Sequence, residues 1–173
     1  LTQLNKICDQ DAYLELKPQS KVPVAPDWPN RGQAADAVLS RSNNLGIVLG
    51  ASSGLLDVDL DCREAKALAD IILPMPHSIF DRGSDASGHY LYRASSFGPR
   101  KAFYAKGSKS TLVELRGDRA QTMIPPSIHP NGSKLVFNTC NPNAAEVTYE
   151  GLLQSLNLLA ACTEVAQNWT DGM

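Results

Sequence analysis

The spacing of apolar residues changes several times along the chain, and each change predicts a different element. Leu1, Leu4 and Cys8 recur at a helical interval, whereas Tyr13 to Leu16 alternates apolar and charged side chains, as a short strand does, before Pro18. Residues 17–32 contain four prolines and predict a long ordered loop. Ala34 to Leu39 predicts a short helix. Between Leu45 and Leu60 two strand-like runs, Ile-Val-Leu and Leu-Leu-Asp-Val-Asp-Leu, flank the turn sequence Gly50 to Gly54, which predicts a hairpin. Arg63 to Leu73 carries Ala67, Leu68, Ile71 and Ile72 at helical spacing, and Pro74 and Pro76 end that helix. Strands are expected at Ser78–Phe80, His89–Tyr92, Thr111–Leu115 and Gln121–Ile124, with a short one at Leu135–Phe137. Leu152, Leu153, Leu156, Leu159 and Ala160 mark a closing amphipathic helix. Strands outnumber helices and do not alternate with them regularly, so the expected class is α+β with a mixed or antiparallel sheet.

Composition narrows the picture. A chain of 173 residues that is 43% hydrophobic can fill one core, which excludes a disordered tail and a minimal disulfide scaffold. No apolar run approaches the ~20 residues that cross a bilayer, and the start at Leu1 has no signal-peptide pattern. A soluble protein without membrane partners is expected, and the absence of an initiator Met suggests a piece of a longer chain. Cys8, Cys62, Cys140 and Cys162 lie far apart with no C-x-x-C pair, which argues against a zinc site or a disulfide framework and for a reducing, cytoplasmic setting. The 16 Lys and Arg nearly balance the 18 Asp and Glu, but the distribution is uneven. Residues 93–119 hold seven basic and two acidic side chains. With Gly98, Pro99, Gly107 and several serines, this segment reads either as a solvated linker or as a phosphate-contacting surface.

The strongest local signal is Leu55 to Asp61. Side chains alternate along a strand, so Leu56, Val58 and Leu60 face one way while Asp57, Asp59 and, by extension, Asp61 face the other, roughly 7 Å apart at strand rise. Carboxylates in such an array repel one another, and a divalent cation that accepts hard oxygen ligands, Mg²⁺ or Mn²⁺, relieves the repulsion. The alternative is a strand edge with solvated acids. His89 opens a strand behind the small-residue turn Ser84 to Gly88, whose backbone N–H groups suit an anion; the alternative is an ordinary hydrogen-bonded histidine. Glu114 is the only acid of the Thr111–Leu115 strand, and Arg116 and Arg119 follow it with charge suited to a triphosphate or a template backbone. Read alone, Glu114 is also compatible with a residue that simply faces water.

Taken in order, these segments resemble the bifunctional DNA primase/polymerase (prim-pol) domain of the archaeo-eukaryotic primase superfamily, found in replication proteins of phages, plasmids and integrated elements. The resemblance spans about residues 12–137. It begins with Leu16-Lys17-Pro18 through Lys21-Val22-Pro23 and continues with Asn44 to Gly50, a glycine-flanked strand. Ser53 to Asp59 is similar to the D-x-D metal motif. Ser87-Gly88-His89-Tyr90-Leu91-Tyr92 is similar to the histidine motif, with Ser87 where the family usually has a glycine. Val113 to Asp118, followed by Ile124 to Gly132, resembles the third acidic motif and the P-P-S-x-H-P-x-G stretch after it. Five segments in the same order make the match specific.

The resemblance implies that Asp57, Asp59 and Glu114 are catalytic and bind two Mg²⁺ or Mn²⁺ ions, with Glu114 in place of the more usual Asp. It implies that His89 contacts the incoming nucleotide's phosphates and that Arg116, Ser127 and His129 belong to the nucleotide pocket, with Lys21 at the pocket or its entrance. Arg100, Lys101, Lys106, Lys109 and Arg119 are the candidate template contacts. No cysteine cluster matches the zinc-binding insertion of some members, so no zinc is expected. The implied activity is template-directed nucleotidyl transfer on single-stranded DNA with NTP or dNTP substrates. The catalytic domain is expected over residues 1–150, and the helix and tail of 151–173 are expected to lead to a helicase or DNA-binding part. Two rival readings remain: a metal-dependent nuclease with water as the nucleophile, and a non-catalytic replication-initiation module that binds DNA.

Overall fold

A computed structural model describes residues 4–8, 11–39, 44–83 and 87–170. Among these residues the helices are α1 (Leu4–Ile7), α2 (Ala35–Leu39), α3 (Arg63–Ile72) and α4 (Tyr149–Thr170), with a 3₁₀ turn at Trp28–Asn30. The strands are β1 (Tyr13–Leu16), β2 (Asn44–Val48), β3 (Leu55–Leu60), β4 (Ser78–Asp81), β5 (Gly88–Arg93), β6 (Lys101–Tyr104), β7 (Thr111–Arg116), β8 (Gln121–Ile124) and β9 (Val136–Cys140). They form two antiparallel sheets, one in the order β1-β2-β8 and one in the order β6-β7-β3-β5-β4-β9. The α+β expectation therefore holds, in its antiparallel form. All four cysteines are free thiols. No helix among the described residues is long and apolar enough to cross a membrane. Leu1 and the Ser84–Ala86 part of the small-residue turn lie outside the described residues.

Strand β3 sits at the centre of the larger sheet and is buried along its whole length, because both faces of that sheet are covered. On one face Leu56, Val58 and Leu60 join Tyr90, Tyr92, Val113 and Leu115 under α3 and α4. Each of these three β3 side chains is fully removed from water, worth about 1.5–3 kcal/mol apiece. Helix α4 contributes Leu152, Leu156 and Leu159 to the same cluster at a spacing that puts them on one stripe. Helix α3 stops where the backbone at Leu73 becomes extended, the conformation that a following Pro74 imposes. On the opposite face Leu55, Phe80 and Leu91 pack against the smaller sheet through Tyr13, Ile47, Met123 and Ile124. The order through the molecule is thus helices, large sheet, small sheet.

One expectation needs correction. The segment Leu45–Leu60 is not a hairpin: β2 and β3 belong to different sheets, and each is already paired along both edges. The turn at 50–54 carries the chain from one sheet to the other and retains a single bridge between Gly50 and Leu55. Gly50 has φ +84°, and a side chain there would collide with Asp118, so this crossing requires glycine. Part of the basic segment, left open between a linker and a phosphate-contacting surface, is regular structure. Lys101–Tyr104 forms the edge strand β6, which turns Phe103 into the helix-side core and leaves Lys101 and Tyr104 exposed.

Candidate active site

The register of the large sheet assembles the polar cluster. Asp59 stands opposite Glu114 of β7 on one side and His89 of β5 on the other, and the row continues to Ala102 beyond Glu114 and to Phe80 beyond His89. Residues in such a cross-strand row share one face. One step along, Asp57 stands opposite Arg116. The acids therefore occupy the face that looks toward the small sheet, at the mouth of the gap between the two.

Asp57 is the deepest, with no exposure to solvent. Nδ1 of His89 donates to its Oδ2 at 3.0 Å, and Nη1 of Arg116 lies 3.6 Å away. Burial works to raise the Asp57 pKa, but the His89 and Arg116 charges outweigh it and hold the carboxyl below its usual range. Burial likewise opposes a charge on His89, but Asp57 and Asp59 prevail and raise its pKa. The His89 ring is fixed from behind by a parallel stack on Phe80, with centroids 4.7 Å apart and planes 6° from parallel.

Arg116 threads the acids together. It pairs with Asp59 through Nη2, with Glu114 through Nε at 3.1 Å, and with Asp57. Burial would lower its pKa, but the three acids raise it above the ordinary arginine value. Glu114 also receives both Nε and Nη2 of Arg100 in a two-pronged pair. Burial pushes the Glu114 pKa up, while Arg100 and Arg116 bring it below normal.

Carboxylate oxygens of Asp59, Asp61 and Glu114 all lie within 4.8 Å of one another. Asp61 follows the end of β3 and reaches solvent at the rim. Partial desolvation there, with repulsion from Asp59 and Glu114, pushes its carboxyl up to about 6. An all-carboxylate oxygen set of this kind could hold a hard divalent cation and does not resemble the sulfur and nitrogen sets that zinc prefers. Asp57 stands beside this trio, turned to His89 and Arg116.

Asp59 and Asp61 line one side of a cavity of about 210 Å³ between the sheets, together with His89 and Arg116, while Glu114 and Asp57 lie outside that lining. Lys21, Arg82 and His129 line it as well and give it a basic side. Arg82 donates to Ser87 Oγ at 2.9 Å and lies 3.5 Å from His129 Nδ1. His129 has a lowered pKa, first from desolvation and then from the nearby positive charges. Asp81, at the end of β4, holds this corner: it accepts from Lys66 and Asn138 at 2.8 Å each and from the Gly83 N–H at 2.7 Å. Gln121 Oε1 and Thr122 Oγ1 belong to lining residues and have no hydrogen-bond partner among the described residues. The Thr122 hydroxyl is near enough to favour the Asp57 anion without reaching hydrogen-bond geometry.

The structure thus brings together Asp57, Asp59, Glu114, His89 and Arg116, with His129 across the cavity. It places Ser127 elsewhere. That hydroxyl donates to Leu45 O at 3.0 Å and accepts from Leu45 N at 2.8 Å, so it ties the β8–β9 connection to β2. Among the candidate template contacts, Arg100 touches Glu114 and Lys101 is exposed on β6, while Lys106 and Lys109 are exposed beyond it. Arg119 faces a separate groove beside Pro29 and Ser52. Sequence reasoning missed Arg82 and Asp81, whose only signal is an Asp-Arg-Gly turn at the end of a strand.

No curated protein matches the chain. Residues 10–147, which carry every strand of both sheets and the whole cavity lining, match the family described as bifunctional DNA primase/polymerase, N-terminal, and the chain belongs to that family.

Proposed function

We propose that this protein carries out template-directed nucleotidyl transfer on single-stranded DNA, extending or initiating a chain from nucleoside triphosphates. The observation that carries the reading is one cavity with Asp59 and Asp61 on an acidic side, Glu114 within 4.8 Å of both, and Lys21 and Arg82 on a basic side. Asp59, Asp61 and Glu114 would hold Mg²⁺ or Mn²⁺, with Asp57 behind them. Bound there, the ions would activate a 3′-hydroxyl and offset charge on the departing pyrophosphate.

The remaining work falls to the chain's own residues. His89, whose pKa Asp57 and Asp59 raise and whose ring stacks on Phe80, would donate to a phosphate oxygen. Lys21 and Arg82 would supply the charge that receives the rest of the triphosphate, with His129 beside them in the cavity wall. Arg116 holds Asp57, Asp59 and Glu114 at fixed separations, so the acidic array needs little rearrangement when substrate arrives. Catalysis of this kind rests on positioning and electrostatics, with no covalent intermediate on the protein. The exposed lysines of β6 and the turn beyond it lie on the same strand pair as Glu114 and suit a template backbone.

The test is product formation on a single-stranded DNA template with labelled NTPs or dNTPs, in Mg²⁺ and in Mn²⁺, with and without an annealed primer. Extension that disappears in Asp59→Asn and Asp61→Asn supports the reading, and products without a primer add primase activity. Shortening of the DNA would replace it with a nuclease, and DNA binding without any triphosphate-dependent product would replace it with a binding module.

A further inference from the structure

Glu114 is the one member of the acidic trio whose oxygens are taken up by two arginines. Its Oε1 meets Nε of both Arg100 and Arg116, and its Oε2 meets Nη2 of Arg100 at 3.0 Å. The two arginines differ in kind. Arg116 is four-fifths buried and bound to three acids, so it is a permanent part of the array. Arg100 has a side chain 60% exposed and no carboxylate partner other than Glu114 among the described residues. It stands just ahead of β6, at the start of the basic edge.

The backbone around Arg100 is pinned. Pro99 O accepts from the Tyr149 hydroxyl at 2.7 Å, and Gly98 O accepts from Asp118 N at 2.8 Å. A change of partner at Arg100 therefore needs only rotation of an exposed side chain, with no movement of the sheet. A two-pronged guanidinium suits a carboxylate and a phosphate equally well in geometry. While its fork is on Glu114, three of that carboxylate's roughly four acceptor sites are taken, which weakens its hold on a cation.

We propose that Arg100 is a positioning residue that couples the template to the metal site: it clasps Glu114 in the free protein and transfers its fork to a DNA phosphate when the template arrives, which releases Glu114 to face the cation. The proposal rests on the reading that Asp59, Asp61 and Glu114 hold the metal. It makes DNA and divalent cation bind cooperatively, and thermodynamic linkage requires each to strengthen the other by the same factor.

The experiment uses the full chain, Mn²⁺ affinity measured by electron paramagnetic resonance without DNA, and the affinity of a labelled dT oligonucleotide with and without Mn²⁺ at constant ionic strength. In the wild type, Mn²⁺ should tighten oligonucleotide binding by about tenfold, within the ordinary range of coupling between sites. Arg100→Gln should bind Mn²⁺ more tightly than the wild type in the absence of DNA and should lose the Mn²⁺ effect on DNA binding. Arg100→Lys keeps the charge and removes the fork. It should also bind Mn²⁺ more tightly, with near-normal affinity for DNA. If Arg100→Lys behaves as the wild type while Arg100→Gln gains affinity, only long-range charge is at work and the proposal fails. Unchanged or weaker Mn²⁺ binding in both variants also overturns it, as does a wild type whose DNA affinity ignores Mn²⁺. Asp59→Asn separates the two levels: if it binds Mn²⁺ as the wild type does, the metal-site reading falls and takes the coupling with it.

Discussion

Replacing Asp57 by Asn keeps the shape of a fully buried side chain and removes its charge. The carboxylate it replaces receives His89 Nδ1 at 3.0 Å and faces Arg116 at 3.6 Å. Removing one partner of a buried ion pair costs about 3–5 kcal/mol, because the other charge is left uncompensated. Arg116 retains Asp59 and Glu114, which places the expected loss near the lower end, about 3 kcal/mol. In a domain of this size about 1 kcal/mol corresponds to roughly 2–4 °C, so the melting temperature should fall by roughly 6–12 °C.

The pH dependence has a definite sign. Asp57 titrates lower in the folded protein than its usual value, so its contribution is present above about pH 4 and fades as pH falls through the lowered value. His89 titrates higher than usual, so its contribution is complete below about pH 6.5 and is lost as pH rises through the raised value. The difference between wild type and Asp57→Asn should be greatest between those limits. Thermal melts across that range, with the His89 ring followed by nuclear magnetic resonance, provide the assay. In the variant the His89 pKa should drop, because burial then acts with less opposition. Equal melting temperatures, together with an unmoved His89 titration, would refute the account of this pair. The same coupling makes Asp57 a poor choice for a clean activity knock-out, and Asp61, at the rim, a better one.

Ser127→Ala should lower stability by about 1–3 kcal/mol in denaturant melts, since it strands the Leu45 backbone groups, and should leave the KM for nucleotide unchanged. Leu156→Ala removes a side chain with no solvent exposure from the α4 stripe and should cost about 2–5 kcal/mol in the same assay. Lys101→Ala and Lys109→Ala should each weaken single-stranded DNA binding and reduce the slope of log affinity against log salt by about 0.7, as expected for one lost phosphate contact on a single strand. An unchanged slope would remove that lysine from the template path.

Periodicity carried the reading wherever one element answers to one environment. Alternation in Leu-Leu-Asp-Val-Asp-Leu put the aspartates on one face of a strand, and β3 has that arrangement because its two faces meet different layers. Helices α3 and α4 were legible from their apolar stripes, and Pro74 marked the end of α3. The Gly50–Gly54 turn misled because a turn sequence shows that the chain bends and does not show which strand it will pair with. Strand β6 escaped because four residues on a half-exposed edge bury too little to leave a pattern.

At the site, the sequence by itself determined which side chains carry charge and which strands they ride on. Only the tertiary structure decided their company. Asp59 meets Glu114 and His89 because β7 and β5 flank β3 in a particular register, and those residues are 55 and 30 positions away in the chain. Asp61 continues the Asp57 and Asp59 face, and packing brings Glu114 within reach of it, while Arg82 and Lys21 arrive from connections that belong to different sheets. Ser127, similar in motif to a pocket residue, is spent on β2. Local preference acts over a few residues, whereas desolvation and charge act through space. The roles of these groups therefore depend on neighbours that only the packing of one sheet on another can supply.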